Sequence, residues 1–199
     1  MSRTQRSKIK LMILFLAFIV TIIAFYFIHQ PLAYLISTIT ATISIMVLIL
    51  QLGRDYDLNA AKFILDFNIN FTSDRRFTAI ELELERFFKN QLDETTLTFE
   101  GEKRQDLINY LIHLECLSAI ISRNVLTVEA INDLFYYRFF LAANNPVVQK
   151  IELVPDAEYY KGLYILYKEW ASYRESKGMS IIMQETSLSM VEDYEKYAN

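Results

Sequence analysis

Two uncharged apolar runs near the start constrain this chain more than anything else in it. Residues 11–28 read LMILFLAFIVTIIAFYFI, and residues 32–50 read LAYLISTITATISIMVLIL. Each is long enough to cross a hydrocarbon core of roughly 30 Å as a helix rising about 1.5 Å per residue. Only His29, Gln30 and Pro31 separate them. The sequence therefore predicts two spans, about 11–28 and 32–52, folded back on each other as a hairpin within residues 1–53. Gly53 marks either a break after the second span or a point through which the helix runs on.

Charge sets the expected orientation. Arg3, Arg6, Lys8 and Lys10 precede the first run, and no acid does. All 24 acids follow residue 54, and the segment from Arg54 onward carries a net −8. Bases stay on the cytoplasmic side of short membrane segments. Arg54 and Lys62 agree with the four at the start, and the turn has no Lys or Arg, so both termini are expected in the cytoplasm. The first run is too long for a signal-peptide core and no small-residue cleavage site follows it, so it is expected to stay attached. An acidic domain argues against nucleic acid as a partner. Cys116 is the single cysteine, which excludes an intrachain disulfide and fits a reducing compartment.

The spans carry small residues at helical spacing: Ala17, Thr21 and Ala24 in the first, Ala33, Ser37, Ala41 and Ser44 in the second. Small residues let membrane helices approach closely. These faces either meet inside one hairpin, the arrangement a short turn favours, or pack against another copy. Neither span holds an ionisable residue. That argues against a pump or secondary transporter and leaves a hydroxyl-lined passive pore of several copies.

Four Gly and three Pro are few for 199 residues, and the apolar spacing after the spans is helical. The expected fold class is all-α: a helical domain of about five helices over 54–178, then an arm or short helix over 179–199. One stripe joins Ala60, Ile64, Phe67 and Phe71 within 57–71. A second helix over 75–91 buries Phe77, Ile80, Leu84, Phe87 and Phe88, with Glu81, Glu83 and Glu85 on a solvated side. Residues 92–101 read as a loop. Residues 102–123 read as the central core helix, stopped at Asn124. Thr127 caps a helix over 128–143, and Pro146 opens the next helical turn. Pro155 is expected to open a helix over 155–176, stopped by Gly178.

Catalytic and metal chemistry find little support in this pattern. Asn109, His113 and Cys116 share one face of the central helix, but a metal needs ligands converging from elsewhere. A core histidine bonded to a neighbour is the favoured reading. Gly-rich phosphate loops and nucleophile elbows are missing. Eight residues separate Arg104 from His113, which departs from the closer Arg–His spacing of HEPN-type nucleases. No cofactor, metal or catalytic residue is expected. Glu115 and Arg138 sit in apolar surroundings, where a charge is costly unless paired, so they are expected to pair with each other. Tyr159, Tyr160, Tyr164, Tyr167, Trp170 and Tyr173 form a broad aromatic face that looks larger than a small core requires and is expected to meet a partner.

The stretch INYLIHLECLSAIISRNVLT and the following LFYYRFF, behind apolar spans, resemble small bacterial membrane-anchored proteins with a helical cytoplasmic domain of unknown function. The resemblance covers about forty residues and implies a bacterial inner-membrane protein with no assigned activity. The two-span layout is also similar to membrane effectors of antiphage systems. The expected function is a non-enzymatic, membrane-tethered module that binds a cytoplasmic protein partner. The alternative is an oligomeric two-span effector, assembled from copies of itself, that permeabilises the bilayer when triggered.

Overall fold

The computed structural model describes residues 15–24, 26 and 32–198. The basic residues at 3–10 and the turn His29–Pro31 lie outside the described residues. Every regular element among those described is helical, so the chain is all-α. Contacts divide the chain into two units, Met1–Lys62 and Phe63–Asn199.

The first unit contains α1 (Phe15–Ala24), a short apolar helix, and most of α2 (Leu32–Ser73). At 42 residues, α2 is about 63 Å long at the usual helical rise. Among the described residues it is the one helix long and apolar enough to cross a membrane. It runs through Gly53 without a break. Hydrocarbon offers no hydrogen-bond partners, and the hydroxyls of α2 satisfy themselves. Those of Ser37, Thr38, Thr40, Thr42 and Ser44 each donate to a carbonyl three or four residues earlier. Thr21 on α1 donates to Ala17 in the same way. The Thr21 and Thr42 hydroxyl oxygens also lie 3.2 Å apart, so either can donate across by releasing its own carbonyl.

The second unit is built on α4 (Gly101–Ser122), whose Leu107, Tyr110, Leu111 and Leu114 are fully buried. Around it pack the end of α2, α3 (Arg75–Phe88), α5 (Val128–Ala143) and α7 (Lys161–Ser176). Local chemistry sets the boundaries. Asp74 caps α3 by accepting from the Arg76 N–H. Thr127 caps α5 by accepting from the Ala130 N–H. Asn124 ends the α4 region in the left-handed conformation at φ 56°, which Asn tolerates better than most residues. Asn145 accepts from Val147 and Val148 and starts α6 (Pro146–Val148), with Pro146 at its first position. A π-helical turn over Gln149–Leu153 follows. The helix expected from Pro155 begins instead at Lys161, because residues 154–160 are spent on turns.

The C-terminal residues form an ordered arm: two 3₁₀ turns, Gln184–Thr186 and Leu188–Met190, and the short α8 (Tyr194–Tyr197). Polar pins hold it. The Asn144 amide donates to the Ile182 carbonyl and accepts from the Leu188 N–H. Gln149 donates to the Thr186 carbonyl, and the Tyr167 and Ser187 hydroxyls pair at 2.6 Å. Asn144 is fully buried, so its loss leaves an arm carbonyl and N–H without partners. Asn144→Ala should cost about 2–4 kcal/mol. Denaturation of the full-length chain in detergent, with trypsin cleavage after the exposed Lys177, checks this: the variant's arm should be released faster than the wild type's.

Candidate functional site

The side chains with the richest chemistry gather where the last turns of α2 enter the core of the second unit. The spacing of Phe67 and Phe71 puts both rings on the covered face of α2. The His113 ring stacks on Phe67 with centroids 4.1 Å apart and tilts against Phe71 and Phe77. Tyr110 meets Phe71 edge-on at 4.9 Å, and Phe135 meets Phe67 at 5.3 Å. Edge and offset arrangements of this kind add to simple burial.

Arg138 on α5 closes this cluster. It donates to the Asn68 side-chain oxygen on α2 at 2.9 Å and to both carboxylate oxygens of Glu81 on α3 at 3.2 and 3.0 Å. Its guanidinium also lies 5.2 Å from the centre of the Phe71 ring. The expected Glu115–Arg138 pair is therefore replaced by Glu81–Arg138. The reason lies on α3: Glu81 follows Phe77 by four residues and precedes Leu84 by three, so it stands at the edge of the buried stripe. Of the three acids read as solvated, Glu83 pairs with Lys103 and Glu85 with Lys89.

Glu115 has a different task. Its carboxylate accepts from the Gly162 N–H at 2.9 Å, and the nearby Leu163 N–H also favours its charged form. The Gly162 N–H is a first-turn donor of α7, where Tyr160 offers no side-chain cap, while the Leu163 N–H already donates to the Tyr160 carbonyl at 2.9 Å. Glu115 thus caps α7 from another helix. A Cβ on residue 162 would come 2.7 Å from its Oε1, so any larger residue there forces the Glu115 side chain to shift away from the cap. Burial raises the Glu115 carboxyl above its ordinary range, and the two N–H groups pull it down.

A second buried carboxylate carried no sequence signal. Glu152, on the π-helical turn, is 2 % exposed, accepts from Arg104 and from the Tyr160 hydroxyl at 3.3 Å. Arg104 and Glu152 lie 48 residues apart, too far for any pattern to join them. Burial, with the Glu152 charge beside it, raises the Tyr160 hydroxyl well above its usual range.

The aromatic face of α7 is core and not surface. Tyr160, Tyr164, Tyr167 and Trp170 are buried, Tyr173 is half-buried and Tyr159 alone is exposed. The arm covers it: Tyr194 and Tyr197 lie against Tyr164, and Tyr194 against Tyr167. Trp170 stacks on Phe139 and donates to Asn132. Asn132 also accepts from Arg174, whose guanidinium sits 3.4 Å over the Tyr136 ring. Between α7 and the arm lies a cleft of about 260 Å³, lined by Tyr167, Glu175, Gln184, Ser187 and Ser189 among others. That is below the usual size of a cofactor site.

In the first unit, Thr21 and Ala24 are partly covered, and Thr42 is the residue of α2 that meets Thr21. Ser37, Ala41 and Ser44 are exposed, as is Ala17, while Ala33 lies in the first turn of α2. The small face of α2 is thus free of Thr21.

Two predictions follow from this geometry. Arg138→Met strands Glu81 and Asn68 and should cost about 2–4 kcal/mol, less than a fully buried pair because both charges keep some exposure. In double-mutant cycles on the full-length chain, Arg138→Met should couple to Glu81→Gln and be additive with Glu115→Gln within about 0.5 kcal/mol. His113 gives a pH effect. Its Nε2 is buried without a hydrogen-bond partner among the described residues, and burial lowers its pKa. The unfolded chain then takes up a proton near pH 6.5 that the folded one refuses, so stability falls as pH drops through that value. Melting at pH 7.5 and 5.5 should show a larger loss for the wild type than for His113→Phe.

Comparison with protein-family models, with curated proteins and with solved structures yields no match to this chain.

Proposed function

We propose that this chain is a two-span, membrane-tethered interaction module with both termini in the cytoplasm, whose helical domain binds a protein partner without catalysing a reaction. One observation carries the reading: the helix that holds the apolar stretch also supplies Phe67 and Phe71 to the core of the second unit. Anchor and domain are thus parts of one helix, which suits a tether. The Thr21–Thr42 contact supports pairing of the two apolar helices as a hairpin. The non-enzymatic part rests on how the buried charges are used. Glu81, Glu115, Glu152, Arg138 and Arg174 each bind a group of the fold itself.

The exposed Ser37, Ala41 and Ser44 favour a second reading. On that reading several copies pack through this face, and the assembly opens or disrupts the bilayer when triggered, in the manner of an antiphage effector.

Reporters and one double variant test both readings. A cytoplasmic-type reporter fused after Asn199 should be active and an exported-type one silent; the reverse overturns the orientation. Ser37→Leu with Ala41→Leu should leave membrane location and partner capture unchanged for a tether. Triggered dye entry that disappears in this variant, with protease resistance intact, defeats the tether and supports the effector.

A further inference from the structure

The cleft between α7 and the arm, of about 260 Å³, lies wholly within the second unit. The fold leaves part of its polar chemistry unused. Three of its hydroxyls stand in a row: Tyr167 meets Ser187 at 2.6 Å, and Ser187 meets Ser189 at 2.7 Å. Three hydroxyl hydrogens serve two links, so one is left over. Burial decides which. Tyr167 and Ser187 are buried, whereas Ser189 is exposed. An unused donor is costly when buried, and the Ser187 oxygen already accepts from the Ser189 N–H. The row therefore runs outward from Tyr167, and the Ser189 hydrogen is offered to the cleft. The helix wall supplies the opposite polarity. Glu175 on α7 lines the cleft, and its carboxylate has no hydrogen bond or ion pair among the described residues. The cations nearest to it in sequence are engaged elsewhere. Arg174 binds the Ser180 carbonyl and Asn132, and Lys177 lies over the Tyr173 ring. Neither Lys nor Arg is among the lining residues, so the one ionised group of the cleft is a carboxylate.

We propose that this cleft binds a small primary amine carrying a hydroxyl group, an amino alcohol. Its ammonium pairs with Glu175, and its hydroxyl oxygen accepts from Ser189. The Gln184 amide oxygen, also on the wall, is there for a second ammonium hydrogen. Ala171, Met179 and Ile181 give the short alkyl chain apolar surface. Other classes of ligand fit less well. A nucleotide is too large for the volume. A diamine brings a second charge that finds no second carboxylate, and an anion meets Glu175 alone. An amino alcohol is also the headgroup of a common phospholipid, but there a phosphate adjoins it, and Glu175 repels a phosphate. The charge of the cleft therefore selects the free amine. Such a ligand touches α7 on one side and the arm on the other, so it binds while the arm is docked and holds it there. None of this rests on the membrane-tethered reading.

Methyl-labelled methionine tests this by nuclear magnetic resonance on the full-length chain, held in a maltoside detergent that carries no amine. Met179 lines the cleft, and Met46, in the first unit, is the control. Ethanolamine near neutral pH should move the Met179 signal saturably and leave Met46 in place. Half-saturation should fall on the order of a millimolar for a ligand of so few atoms. Glu175→Gln should weaken binding about tenfold and Ser189→Ala about threefold. Both side chains are exposed, so neither change disturbs the core. Ethylamine, which lacks the hydroxyl, should bind about threefold more weakly than ethanolamine. Ethylene glycol and glycolate should leave Met179 unmoved. No shift with ethanolamine overturns the proposal. So does a shift that stays linear in concentration, that glycolate reproduces, or that survives both substitutions. A Met179 signal that moves only in nanodiscs containing phosphatidylethanolamine, and not with the free amine, gives the cleft to a lipid headgroup and also overturns it.

Discussion

Arg138 is the side chain on which the second unit closes. One guanidinium binds Asn68 from α2 and Glu81 from α3 while projecting from α5. A planar group with five donors can serve two acceptors at once, and a lysine cannot reproduce that geometry. Beneath it, Phe67, Phe71 and Phe77 provide the area, and the Arg138 contacts set the register of α2 against the other two helices. The value of the cluster is therefore positional, since area alone would tolerate several registers and the guanidinium tolerates one.

The other buried charges follow the same economy. Glu115 spends its carboxylate on the first turn of α7, and Glu152 takes Arg104 and Tyr160. Arg174 binds Asn132 and the Ser180 carbonyl. Each joins elements distant in sequence, and each leaves the aromatic residues to supply the hydrophobic burial. His113 is the exception: its Nε2 is buried without a hydrogen-bond partner among the described residues, while its ring packs against Phe67, Phe71 and Phe77.

Much of the helical layout could be read from the sequence, because caps and periods act locally. Thr127 caps where its residue type and spacing say it should, and Asn124 ends α4 as expected. What failed was partnership. Nothing in the sequence distinguishes Glu81 from Glu115 as the mate of Arg138, since the choice depends on which helix edge α5 faces. The aromatic face of α7 misled for a related reason. Its cover is supplied by the arm, whose 3₁₀ turns have too little periodicity to announce that Leu188 and Tyr194 point inward. Pro155 falls among the turns over residues 154–160, which delay the start of α7 to Lys161.

The cap that Glu115 provides also orders events during synthesis. The first turn of α7 has no side-chain cap of its own, so its Gly162 N–H depends on a carboxylate made 47 residues earlier and already seated on α4. The arm emerges from the ribosome after α7, and until then Tyr164 and Tyr167 lack the cover it gives them. A nascent chain in that interval exposes the sticky surface typical of incompletely folded domains. A ribosome that stops shortly after Gly178 would release a product with helices in place and its most aromatic face open to chaperones and proteases.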